Sequence, residues 1–160
     1  MAMPASMHAS LLPTVDVVHG MDQTPQILRI LLYSNSGNRM ALDYLLNLKK
    51  DKEKLTEEAI AERADLDVRT IQRLRTDDGQ NPSKEVVIQL CIAMELPIDI
   101  SEKLMEKSGH CFKACRKDLI YHMLLRHFAT GNLRAANKYL ISQGLLPLGK
   151  TAKREGTTSA

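Results

Sequence analysis

Signals that start and stop helices recur at short intervals along the chain, and this feature constrains its fold more than any other. Thr, Asp, Ser or Asn residues precede segments whose apolar residues have helical spacing. Their side chains can accept a hydrogen bond from the first helical turn. Gly and Pro follow several of these segments, where they end a helix. Because no segment alternates apolar and polar residues as a half-buried strand would, the sequence predicts an all-α fold.

The predicted helices are short and closely spaced. They cover residues 26–33, 39–52, 57–64, 68–75, 84–95, 100–107, 117–130 and 133–143. We expect the helix starts to be capped by Thr56, Asp67, Ser83 and Asn132. We expect Gly109, Gly131 and Gly144 to end helices, since glycine adopts the left-handed backbone of a helix C-terminus without strain.

Composition excludes several classes of protein. The three cysteines are an odd number without a secretion signal, which argues against a disulfide framework. No apolar run approaches the ~20 residues that a membrane span needs, and the first residues lack the pattern of a signal peptide. With 160 residues, the chain is long enough to bury a hydrophobic core. We therefore expect a cytoplasmic protein of one domain with appendages and no membrane contact.

Positive charge is concentrated towards the C-terminus. The net charge is only +3, but from Lys113 onward nine Lys and Arg residues stand against two acidic residues. A basic region of this kind can face nucleic acid or another anionic surface. It can equally be a solvated helical face with a polar tail, and the sequence leaves both interpretations open.

The segment 56–74 has the pattern of a helix-turn-helix, in which two short helices cross steeply over a short turn. The close crossing needs a small residue on the first helix, and Ala61 is suitably placed. The turn needs an apolar residue, which is Leu66. Ile60 on the first helix and Ile71 and Leu74 on the second are predicted to turn inward, since residues three apart share a helix face.

If those residues are buried, the opposite face of the second helix points outward and carries Val68, Arg69, Gln72 and Arg73. An α-helix fits the major groove of B-DNA. There Arg can bind guanine through two hydrogen bonds, Gln can bind adenine similarly, and Val can contact a thymine methyl group. Each well-made bidentate pair discriminates by ~1–3 kcal/mol. Double-stranded DNA is thus the predicted partner, although such residues also occur on any solvated helix face.

An ordered set of residues resembles the lambda-repressor-like, or Xre, family of transcriptional regulators. It spans residues 38–109 and comprises Leu55, Thr56, Ala61, Leu66, Thr70, Ile71, Leu74, Asn81, Pro82, Ser83, Leu96 and Pro97. The continuation, with Leu104, Lys107, Gly109, the segment 137–140 and the segment 144–148, is similar to short Xre-type regulators of Gram-positive bacteria and their mobile elements.

The resemblance implies a five-helix bundle whose third helix contacts the bases, followed here by a C-terminal helical hairpin. It also implies a homodimer, because two-fold symmetry matches palindromic half-sites. The implied base contacts are Asp67, Val68, Arg69 and Arg73, with Gln72 added from the helix geometry. The implied phosphate contacts are Thr70, Ser83 and Lys84, and Lys54 is added because it belongs to a cluster of lysines at positions 49, 50, 52 and 54.

The chain accordingly divides into four predicted parts. Residues 1–37 are a disordered or short helical N-terminal segment, and residues 38–109 are the DNA-binding domain. Residues 110–148 form the helical hairpin, a candidate for dimerisation or for binding a protein partner. Residues 149–160 are predicted to be a disordered tail.

Several residues depart from the family pattern. Glu57 replaces the usual Gln and would repel phosphate, and Asp65 replaces the usual Gly of the turn. Arg75 replaces the usual Glu, so the ion pair to the first bundle helix is expected to be absent or reversed. Asp77 and Asp78 lie in a loop that often approaches the DNA backbone.

Acidic residues outnumber basic ones nine to five between Leu55 and Ile98. Phosphate neutralisation dominates DNA affinity, so this excess opposes tight binding. The alternative hypothesis is a protein-interaction module, or an antitoxin-like adaptor with a degenerate helix-turn-helix. A third hypothesis, sensing of a small molecule or peptide by residues 110–148, also stays open.

Metal binding and catalysis have little support in the sequence. His110, Cys111 and Cys115, with His122 and His127 nearby, do not match the paired-cysteine spacing of a structural zinc site. Phosphate-binding glycine loops and nucleophile elbows are also absent from the sequence. We therefore predict a protein without metal, cofactor or enzymatic activity.

Overall fold

The computed structural model describes residues 24–33, 38–76 and 81–150, and these residues form eight α-helices and no β-strand. The helices are α1 (Thr24–Tyr33), α2 (Asn38–Glu53), α3 (Glu57–Ala64), α4 (Val68–Thr76), α5 (Lys84–Ala93), α6 (Ile98–Lys107), α7 (Arg116–His127) and α8 (Arg134–Ser142). This confirms the all-α prediction for the described part of the chain. The predictions for residues 1–23, for the loop containing Asp77 and Asp78 and for the tail beyond residue 150 fall outside it.

Local capping chemistry places most helix ends where the sequence predicts them. The Thr56 side chain accepts a hydrogen bond from the Ala59 N–H at 3.2 Å, and Ser83 accepts one from the Val86 N–H at 3.3 Å. Asn132 accepts one from the Arg134 N–H at 3.1 Å, at the start of α8. These bonds satisfy N–H groups that have no partner within the helix.

The end of α7 corrects the prediction. The helix stops at His127 and not at Thr130, so Gly131 lies beyond it, in the connection to α8. The Gly131 N–H donates to the Ile92 carbonyl oxygen on α5 at 3.0 Å, and Gly131 has a φ of 86°. The connection is therefore held against α5, and a longer α7 is incompatible with that contact.

Helix α5 is central to the molecule. Its residues from Val87 to Ala93 are all buried, and it packs against α3, α6 and α7. A helix that is apolar on every side is typical of a position inside a core. Buried Gln89 has a partner there, because its Nε2 donates to the Ala64 carbonyl oxygen at 2.8 Å. This bond satisfies a carbonyl at the C-terminus of α3.

The C-terminal helices share one hydrophobic core with the preceding helices. Tyr121 and Leu124 of α7 and Leu140 of α8 belong to the same buried cluster as residues from α1 to α6. His110 adds a polar link, because its Nε2 lies 2.7 Å from the Pro82 carbonyl oxygen. None of the described helices combines the length and apolar character that crossing a membrane requires.

Candidate nucleic-acid interface

The turn between α3 and α4 has a left-handed backbone at its first residue. Asp65 has φ 52° and ψ 46°, and its N–H approaches the Ala61 and Glu62 carbonyl oxygens. The Leu66 N–H donates to the Ala61 carbonyl oxygen at 2.9 Å. Asp65 thus adopts a conformation that glycine would adopt at lower cost, and the two helices are joined by only three residues.

The residues predicted to turn inward do so. Ile60, Ala61, Ile71 and Leu74 are buried, and Leu66 is half-buried against the core. Packing of these side chains fixes the rotation of α4 about its axis. The orientation of its outer face follows from this packing.

Arg69, Gln72 and Arg73 are exposed on the outer face of α4. Their spacing of three and four residues places them side by side on that face, as predicted. Val68 differs from the prediction because it is half-buried and packs partly against the core. Only the exposed part of the Val68 side chain is available for contact with a partner.

The predicted phosphate contacts occupy different environments. Lys54 and Ser83 are exposed, and Thr70 is half-buried. Lys54 has a φ of 55°, and its ammonium donates to the Asp51 carbonyl oxygen at 3.2 Å. Ser83 already uses its hydroxyl oxygen to cap α5. Contact of these residues with phosphate stays a prediction.

Lys84 is occupied by another contact. Its Nζ lies 2.9 Å from Oδ2 of Asp118 and 2.8 Å from the Cys111 carbonyl oxygen. Burial alone would raise the pKa of Asp118, but the Lys113 N–H and the Lys84 ammonium outweigh it and hold that pKa below its ordinary value. Because Asp118 is buried, Lys84 can reach a phosphate only by leaving a buried carboxylate unpaired.

The ion pair that joins α4 to α2 has its cation, Arg75, on α4 and its anion, Asp43, on α2. This is the reversed arrangement, one of the two outcomes that the sequence predicts. Arg75 donates from Nε to Oδ1 of Asp43 at 2.6 Å and from a terminal nitrogen to Oδ1 of Asn47 at 2.9 Å, and it also pairs with Glu57. Burial lowers the pKa of Arg75, but hydrogen bonds and charge from Asp43 and Glu57 raise it above its ordinary value. Glu57, expected to repel phosphate, therefore has a cationic partner.

Asp67, immediately before α4, meets a lysine that the sequence analysis did not assign to this surface. Lys150 Nζ lies 2.8 Å from Oδ1 of Asp67. The two residues are 83 positions apart, so helical periodicity cannot relate them. The excess of basic residues in the C-terminal third is the only sequence signal, and it gives no position.

The histidines and cysteines do not gather into a metal site in the described part of the chain. No group of three or more His, Cys, Asp or Glu side chains there is arranged to hold an ion. His122 instead lies 2.6 Å from Glu102, on the neighbouring helix α6. Cys91 is buried, whereas Cys111 and Cys115 are exposed, and none of the three forms a disulfide.

In the part of the chain that the structure describes, fold and surface define an all-helical protein with two exposed arginines on the second of two closely connected helices. Comparison of the chain with family models, curated proteins and solved structures gives no match.

Proposed function

We propose that this protein is a sequence-specific regulator of transcription that binds double-stranded DNA by placing α4 in the major groove. Arg69 and Arg73 contact guanine edges, and Gln72 contacts adenine. Asp67 and the exposed part of Val68 complete the base-contacting end of the helix. In this proposal α2 to α6 form a lambda-repressor-like bundle, and α7 and α8 form a hairpin outside the DNA contact.

The observation that carries the proposal is the division of α4 into two faces. Ile71 and Leu74 are buried, while Arg69, Gln72 and Arg73 are exposed together. A helix anchored in this way holds the backbone of its outer residues in place, so the side chains of Arg69, Gln72 and Arg73 extend from fixed positions towards base edges.

Lys150 reduces the acidic excess of residues 55–98 that opposes DNA binding, because it lies outside that segment, whereas the Glu57–Arg75 pair is already counted within it. Glu57 is paired with Arg75, and Asp67 is paired with Lys150. Glu57 lies on α3, and Asp67 lies immediately before α4. Their cationic partners, Arg75 and Lys150, are not part of the outer face of α4. The charges of Arg69 and Arg73 consequently act against a less negative background.

Selection of bound sequences from a random DNA pool tests the proposal directly. We expect a defined operator to emerge, with affinity that falls steeply as salt rises, because bound phosphates release counterions. If the protein binds as a homodimer, the operator has two-fold symmetry with half-sites about 10 base pairs apart.

Arg69→Ala and Arg73→Ala identify the base contacts. Each should weaken operator binding and relax specificity at one base, at a cost of ~1–3 kcal/mol. Lys103→Ala on α6 is the control, because Lys103 forms an ion pair with Glu106 on its own helix. A pool without enrichment, or weak binding that salt does not change, contradicts DNA recognition and favours a protein-interaction module.

A further inference from the structure

The C-terminal segment, residues 145–150, returns to the turn between α3 and α4. Leu148 anchors it: this residue is buried, and its main chain bonds twice to the side chain of Asn137 on α8. The Leu148 N–H donates to Asn137 Oδ1 at 2.7 Å, and Asn137 Nδ2 donates to the Leu148 carbonyl oxygen at 2.8 Å. The path of the C-terminal segment is thus fixed before it reaches the turn.

Gly149 brings the C-terminal segment into direct contact with the turn. It has a φ of 98°, and a Cβ at this position would lie 2.9 Å from the Cβ of Asp65 and 3.0 Å from its Cγ. Real Cβ atoms do not lie so close to other atoms, so a residue other than glycine fits at position 149 only if the segment or Asp65 shifts. The C-terminal segment therefore lies against Asp65, which two turn residues separate from the start of α4.

The next residue, Lys150, extends its ammonium to Asp67. The Nζ–Oδ1 distance is 2.8 Å, and the side chains of Lys150 and Asp67 are 46% and 68% exposed. Ion pairs at such exposure contribute little to folding, because water and salt screen them. The position of Lys150 consequently matters more for the charge of this surface than for the stability of the fold.

If α4 binds DNA, the positive charge of Lys150 is needed beside Asp67. Early residues of a recognition helix approach the bases, with phosphates on either side. The negative charge of the Asp67 carboxylate would repel those phosphates. Lys150 cancels that charge, and its exposed ammonium lies within reach of the same surface.

We propose that Lys150 belongs to the DNA-binding surface and that the C-terminal segment delivers it to the start of α4. This inference rests on the proposed function. It assigns to residues 145–150 the role of completing the interface: the Leu148 anchor and the Gly149 contact fix the backbone, and Lys150 contributes a phosphate contact. A segment that merely covered α4 would oppose binding, so the two roles predict effects of opposite sign.

The test is Lys150→Gln in the full chain, measured against the operator selected with the unaltered protein and against unrelated DNA. We expect both dissociation constants to rise, roughly five- to tenfold at about 0.15 M salt, because one fewer counterion is released. The salt slope should fall by about 1. Equal losses on the two DNAs identify a phosphate contact, whereas loss of a base contact affects the operator more.

Two further variants control the experiment. Lys150→Arg keeps the charge and should retain nearly all of the affinity, and Lys103→Gln removes a lysine from another ion pair and should leave affinity and salt slope unchanged. The thermal midpoint of Lys150→Gln should match that of the unaltered protein. Unchanged affinity of Lys150→Gln overturns the inference, and tighter binding overturns it in favour of a covering segment.

The inference and the proposed function fail in different ways. If the unaltered protein enriches no DNA, both the proposed function and the role of Lys150 are rejected. If it binds an operator and Lys150→Gln binds equally well, the proposed function stands and only the role of Lys150 is rejected.

Discussion

Two arginines on α4, two residues apart, have different roles because they lie on different sides of the helix. Arg73 is exposed, whereas Arg75 lies between α2 and α3, where it meets Asp43, Asn47 and Glu57. The first belongs to the proposed interface and the second to the fold.

Arg75→Ala should therefore lower the free energy of unfolding by about 2 kcal/mol, because Asp43 and Glu57 are left partly buried without their cation. Arg73→Ala is the matched control, and its effect should stay within ~0.5 kcal/mol, as for most exposed positions. Urea unfolding followed by circular dichroism measures both. Equal stability losses would place the two side chains in equivalent environments, contrary to the structure.

Tyr121 makes stability depend on pH in the alkaline range. Burial, together with the negative charge of Glu85, raises the pKa of its phenol to about 12. The unfolded chain ionises near pH 10, so ionisation of this group costs the folded state no stability below pH 10 and lowers its stability as the pH rises from 10 towards 12. The loss should be on the order of 2 kcal/mol.

Tyr121→Phe removes that contribution without removing the ring. We expect its stability to resemble that of the unaltered protein at pH 7 and to fall less between pH 10 and 12. The difference between the two unfolding curves isolates Tyr121 from the lysines, which titrate in both proteins. Parallel curves across this range would show that the phenol does not report on folding.

At the scale of the helices, the sequence predicts those features that depend on residues close together in the chain. Thr56 and Ser83 cap their helices through bonds that span three residues, so the signal and the structure lie together. The prediction for the end of α7 is wrong because the Gly131 N–H donates a hydrogen bond to the Ile92 carbonyl oxygen on another helix, α5. Periodicity contains no information about that distant carbonyl.

The candidate site likewise has features that the sequence predicts and features that it does not. The outward positions of Arg69, Gln72 and Arg73 follow from the spacing of Ile71 and Leu74 within one helix. The engagement of Lys84 by Asp118 and of Asp67 by Lys150 does not, because each pair joins elements that meet only after folding. Charge on a helical face is thus predictable from sequence, but the partner of that charge is not.

Gly149 and Gly144 provide a matched test of how closely the C-terminal segment packs. Both have positive φ, but a Cβ would meet Asp65 at position 149 and nothing within 4 Å at position 144. Gly144→Ala should cost ~1–2 kcal/mol from backbone strain alone. Gly149→Ala should cost more, because the turn or the segment must also move. The difference, measured by thermal unfolding, reports the close approach.

An equal cost at the two positions would mean that the C-terminal segment moves away from Asp65 without loss. Lys150 moves with the segment in that case too, so DNA affinity should still fall. If the C-terminal segment is displaced at a cost, Lys150 loses its position and affinity should fall as in Lys150→Gln.

At the scale of the whole molecule, α5 joins the two halves of the described chain. It packs against α3, which precedes the turn, and against α7 in the C-terminal part of the described chain. Its burial on every side means that neither half can separate without exposing apolar surface. We infer that the described residues unfold as one cooperative unit, even though the sequence predicts a division after Gly109.

Cys91, in the last turn of α5, reports on that cooperativity. Burial raises the pKa of its thiol to about 12, and the side chain is fully buried, so a thiol reagent meets it only when the core opens. In the double variant Cys111→Ser, Cys115→Ser, Cys91 is the single thiol. We expect its labelling in increasing urea to follow the loss of helicity with the same midpoint. Labelling at lower urea would mean that α5 is exposed before the helices unfold, and that α7 and α8 open separately from the preceding helices.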